Sequence, residues 1–175
     1  MSKESDIGHG RECFLDRHHE NDRLSGRVVA WLSPPERFVL WALRHRLAHG
    51  SPAPADPCLA GAFLSVFGLA GGEAALRAFE ECFEQLARFA RRDILLAPLG
   101  CACVSVDEER LVLLLCPALG EGAVAAAQPS IARSLVRSGA VEPLLAAATR
   151  FRRRLAEVDL DRLRAASRPV RRMSH

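Results

Sequence analysis

Apolar residues recur along this chain at three- and four-residue intervals, and proline and glycine cut that pattern into segments. The cleanest period is Leu76, Phe79, Phe83, Leu86 and Ala90, which line one face of a helix over about residues 73–90. Glu80, Glu81, Glu84, Arg77 and Arg88 occupy its other faces. Upstream, Ser33-Pro34-Pro35-Glu36 reads as a helix start. Serine caps, proline suits the first helical position, and glutamate three residues on closes a capping box. That helix should run from Pro34 to about His49 and end at Gly50. Phe38, Val39, Leu40, Trp41, Leu43 and Leu47 make it apolar on most sides, as in a central or interfacial helix.

Asp56-Pro57 opens a second helix ending near Phe67-Gly68, with Gly71-Gly72 as a break before the third. Residues 93–104 carry Pro98 and Gly100 and read as a buried loop or a short extended piece. Ser105-Val106-Asp107-Glu108 is a second capping box, starting a helix to about Leu119. Ala123–Gln128 and Ser130–Ser138 read as two short helices split by Pro129. Glu142-Pro143 opens a last helix whose Leu144, Ala148, Phe151, Leu155 and Val158 form a heptad-like seam. The seam covers about two heptads, too few for a coiled coil. The expected fold is all-α: one compact bundle of about six helices over residues 28–158, without strand pairing. Residues 1–27 read as a flexible arm and 159–175 as a basic tail.

Composition agrees with a packed domain. The chain has 175 residues, 49% of them apolar, enough to build a core. No uninterrupted apolar run reaches the roughly 18 residues of a membrane span, and no secretory signal is visible, so membrane insertion is not expected and a cytoplasmic location is. Cys13, Cys58, Cys82, Cys101, Cys103 and Cys116 are accordingly expected to be thiols.

Charge is concentrated at one end. Nine arginines against three acidic residues fill positions 150–175. They are Arg150, Arg152, Arg153, Arg154, Arg162, Arg164, Arg168, Arg171 and Arg172. Such a stripe can bind nucleic-acid phosphates or an acidic protein partner. The remainder of the chain is slightly acidic, and no helix-turn-helix pattern accompanies the stripe.

The other candidate chemistry is a metal site. His45 and His49, four apart, project from one helix face, and Cys101 and Cys103 flank Ala102 ahead of a capped helix. Together they make a four-ligand set for zinc, with Cys58 as a substitute ligand. The single residue between the cysteines is shorter than the spacing of common structural zinc sites. Arg46 stands where a His-Glu-x-x-His protease would carry its glutamate. The same two cysteines also suit a thiol-redox role. No nucleophile-elbow, phosphate-loop or dinucleotide motif occurs, so nothing fixes an enzymatic reaction. The leading expectation is a small regulatory or adaptor module that contacts a protein partner or a second copy of itself, as a homodimer. Trp31, Trp41 and Phe38 are its candidate interface anchors.

Overall fold

A computed structural model describes residues 24–49, 56–116, 123–159 and 161–163. Among these the order is β1 (Leu24–Val28), a 3-10 turn (Val29–Trp31), α1 (Pro34–Ala48), α2 (Pro57–Phe89), β2 (Cys103–Ser105) and α3 (Val106–Leu115). Then come α4 (Ala123–Leu135), a 3-10 turn (Ser138–Ala140) and α5 (Val141–Ala156). The fold is mostly helical, with one small sheet.

Local chemistry explains the helix starts. Both capping boxes form: the Ser33 and Ser105 amides donate to Glu36 and Glu108 at 2.7 and 2.8 Å. Asp56 caps α2 by accepting from the Cys58 amide at 2.9 Å. The interruption of α2 falls at Gly68, the expected end of the second helix, and Gly71-Gly72 makes no further break. Gly68 has φ 74° and ψ 172°, a conformation that glycine alone adopts cheaply. Gly72 lies inside the continuing helix for a different reason. A Cβ there would stand 2.9 Å from the Leu64 Cα, so the bent halves meet backbone to side chain only because Gly72 has none.

By length, and by a mean hydropathy of 1.6 over 18 residues, α2 is long and apolar enough to cross a membrane. The bend divides it. Pro57–Phe67 is shorter than the roughly 17 residues a span needs. The second half carries Glu73, Arg77, Glu80, Glu81, Glu84 and Arg88. Leu59, Phe63, Val66, Phe79, Cys82 and Leu86 on α2 are buried in the core.

That core is organised by aromatic rings. Phe63 packs against Phe38, Phe79 and Phe151 with centroids 5.2, 5.4 and 6.2 Å away, tying α1, α2 and α5 together. The α5 seam is buried as its spacing predicts at Leu144, Ala148, Phe151 and Leu155, whereas Val158, its last expected member, lies beyond the helix end and is half-buried. Leu163 is 1% exposed, so the packed region runs past residue 158.

Three expectations change. β1 pairs antiparallel with β2, with Leu24 opposite Ser105 and Val28 opposite Cys103. The ladder carries an irregularity around Gly26, whose φ is +74°. Part of the segment read as an arm is therefore a strand. Its pattern, Leu-Ser-Gly-Arg-Val, lacks the apolar alternation that would announce it. α4 runs through Pro129 as one helix rather than two. α3 ends at Leu115 with Cys116 already extended, and residues 117–119 of its expected length lie outside the described residues.

Candidate functional site

Two polar assemblies and one apolar groove meet around the C-terminal half of α1. Successive helix residues point about 100° apart, so neighbours there reach different parts of the molecule.

Arg44 faces inward and is 5% exposed. Its Nε and Nη2 donate to the two Glu108 oxygens at 2.7 and 2.9 Å. Its Nη1 and Nη2 donate to the carbonyls of Cys101 and Cys103, both at 2.6 Å. Glu108, wholly buried, also accepts from the amides of Ala97 and Ser105, each at 2.8 Å. The pair is bidentate, and every Glu108 oxygen is doubly occupied, which is what a buried charge requires. This clamp folds the 97–105 loop onto α1 and α3.

Beside it, Asp107 accepts from Arg92 at 2.7 Å and from the Leu95 amide at 3.0 Å. Burial alone would raise the Asp107 pKa. The Arg92 and Leu95 hydrogen bonds and the charges of Arg92 and Arg110 outweigh that and hold it below the usual carboxylate range.

His45 points the other way. Its Nε2 lies 2.6 Å from Asp56 Oδ2. His49 stacks on His45 with ring centroids 4.1 Å apart, and Trp41 stacks on the opposite side at 5.0 Å. The His49 Nδ1 lies 3.9 Å from the same Asp56 oxygen and 3.0 Å from the His45 carbonyl. The Cys58 amide above all, then the hydrogen bond from His45 and the two histidine charges, hold Asp56 below its ordinary pKa. The His45 side chain is 8% exposed and that of His49 is 53% exposed, so the cluster opens to solvent on one side.

The expected four-ligand zinc set is not assembled. Arg44 occupies the space between α1 and the 101–103 loop, and His45, one position on, is turned to Asp56. Cys101 is disulfide-bonded, which removes its thiolate. That overturns the expectation that all six cysteines are thiols. Cys58, Cys82, Cys103 and Cys116 are free. Burial pushes the Cys82 thiol up to about 12 and raises Cys116 as well, so neither supplies a thiolate at neutral pH. Among the described residues, His45, His49 and Asp56 are instead grouped with their ligand atoms all within 4.8 Å of one another. Asp56 is visible in sequence only as a helix cap. The usable signal is that a capping carboxylate has a second oxygen.

The interface anchors separate. Phe38 is 3% exposed and belongs to the core, so it cannot serve as a surface anchor. Trp41 is half-buried in the histidine stack, packed against the core. Trp31 is 72% exposed. The third assembly is an apolar groove of about 220 Å³, lined by Leu43, Leu47, Phe83, Leu86, Ile94 and Leu96, with Arg92 and Asp93 beside them. Leu47 is 50% exposed there, and Phe89, on the same stretch of α2, is 40% exposed.

The described part of the arginine stripe is largely engaged. Arg150 pairs with Glu81, Arg154 with Glu157 at 3.6 Å, and Arg152 donates to Thr149 at 3.0 Å. Arg150, Arg153 and Arg154 share a depression with Glu73, Glu81 and Glu157, so its charge is mixed rather than a single-sign stripe. Arg162 lies against Gly68. Arg164, Arg168, Arg171 and Arg172 lie outside the described residues. No protein-family model, curated protein or solved structure matches the chain.

Proposed function

We propose that this chain is a small helical interaction module that self-associates through the apolar groove where the C-terminal halves of α1 and α2 meet. The observation carrying this reading is the solvent-open groove formed by Leu43, Leu47, Phe83, Leu86, Ile94 and Leu96. At about 220 Å³ it is smaller than the roughly 300–1,000 Å³ of typical small-molecule sites. It suits one or two apolar side chains of a protein surface. Leu47 lines the groove and is half exposed, so the same patch offers both a recess and a projecting side chain. A two-fold pairing needs that self-complementarity.

The test is sedimentation of the full chain across the micromolar range, beside Leu47→Glu. A reversible dimer weakened by the substitution supports the reading. A strict monomer at high micromolar concentration contradicts it. The nucleic-acid reading receives less support, because Arg150 and Arg154 are already paired with carboxylates.

A further inference from the structure

We propose that His45, His49 and Asp56 form a binding site for a divalent transition-metal ion of the zinc class. The site lies at the junction of α1 with the start of α2 and is independent of the groove.

Geometry carries the inference. The two imidazoles sit one helical turn apart, stacked at 4.1 Å, and both address a single carboxylate oxygen. Around a tetrahedral zinc with bonds near 2.1 Å, ligand atoms stand about 3.4 Å apart. The distances from Asp56 Oδ2, 2.6 Å to His45 and 3.9 Å to His49, straddle that value. The ligand atoms of all three residues lie within 4.8 Å of one another, so binding requires the two stacked rings to rotate toward a shared ion. The other Asp56 oxygen is fixed by the Cys58 amide at 2.9 Å, a support that orients the carboxylate as outer-shell partners of metal ligands do. His45 is held from behind by Trp41, and His49 leaves one side open to solvent.

Two imidazoles and one carboxylate favour a borderline ion such as Zn²⁺ or Co²⁺ over Mg²⁺ or Ca²⁺, which take mainly oxygen. Three protein ligands leave a coordination position for water or for a further donor. Binding replaces the His45–Asp56 hydrogen bond with a bond from each group to the ion. It also replaces the His49 contact with the His45 carbonyl where Nδ1 is the donor atom.

The experiment uses the full chain with Trp31→Phe, so that Trp41, 5.0 Å from His45, reports alone. Zn²⁺ is followed by calorimetry, Co²⁺ by visible absorption and by Trp41 fluorescence, with Mg²⁺ as control. The expected result is one Zn²⁺ or Co²⁺ per chain, a Trp41 response to Co²⁺, and no response to Mg²⁺. Affinity should fall tenfold or more in His49→Gln and in Asp56→Asn. Both variants should fold: His49 is half exposed, and asparagine caps a helix as well as aspartate does. Circular dichroism checks this. Cys58→Ser should leave binding intact. Absence of saturable binding overturns the proposal. So does binding unchanged in His49→Gln and Asp56→Asn, whatever Cys58→Ser does.

Discussion

Arg44 and His45 are neighbours on one helix, yet their surroundings are completed to different degrees. Arg44 and Glu108 form a closed clamp, in which each Glu108 oxygen meets two donors and the guanidinium meets two further carbonyls. The histidine junction meets solvent through His49, and the groove next to it leaves Leu47 half uncovered. A fully satisfied buried ion pair specifies a fold and has nothing left to offer a ligand. The half-exposed His49 imidazole and a half-exposed leucine do. The difference is the ground for proposing a structural role for one side of α1 and an interaction role for the others.

The strongest way to break that comparison is to open the clamp. Arg44→Met leaves Glu108 as an uncompensated buried carboxylate, at a cost of about 3–5 kcal/mol. Against a typical stability of roughly 5–15 kcal/mol, that brings the domain near unfolding at room temperature. Arg44→Met/Glu108→Gln should be less destabilised than Arg44→Met alone, because no buried charge remains. Urea denaturation of both variants measures this. A wild-type midpoint for Arg44→Met would show that the clamp contributes nothing.

Gly72→Ala comes next. The added methyl meets the Leu64 backbone at 2.9 Å, and overpacking of this kind costs about 1–3 kcal/mol. Thermal unfolding reads the loss, and an unchanged melting temperature contradicts the close approach.

A smaller effect concerns acid. The folded pKa of Asp107 is lowered, so its contribution is present above the unfolded value of about 3.9. It is lost as pH falls from there through the lower folded value. Asp107→Asn should therefore be less stable than wild type at neutral pH, with the gap closing below about pH 3.9. Stability measured at several pH values decides it. A gap that is constant with pH excludes the Arg92–Asp107 pair as its source.

The capping role of Asp56 sharpens the junction further. Asp56→Ala should lower the melting temperature slightly, and Asp56→Asn less, since only the first removes the acceptor for the Cys58 amide. Equal losses in the two would mean that the carboxylate charge, not the cap, stabilises α2.

The features legible in sequence were those made by residues close together. Both capping boxes, the proline-led helix starts and the α5 seam depend on spacings of three or four, and each appears in the structure. What escaped depends on pairings across long stretches of chain. β1 meets β2 some eighty residues away, with Ser25 donating to the Val104 carbonyl at 3.2 Å. Glu108 is visible as a cap, but its partnership with Arg44 spans 64 residues and leaves no local mark. His45 and His49 stand together as their spacing implies, and the group beside them is the Asp56 carboxylate rather than the cysteines of the 101–103 loop. Cysteine is the more familiar ligand, whereas proximity favoured the aspartate at the start of the next helix.

The central claim is that the open side of α1 is where this chain meets a second copy. Sedimentation equilibrium of wild type and Leu47→Glu tests it most directly. Leu47 is half exposed, so the substitution should leave helical content and melting temperature nearly unchanged. The account predicts a concentration-dependent dimer for wild type and a monomer for Leu47→Glu over the same range. A wild-type monomer throughout, or a Leu47→Glu protein that dimerises equally well, would contradict it.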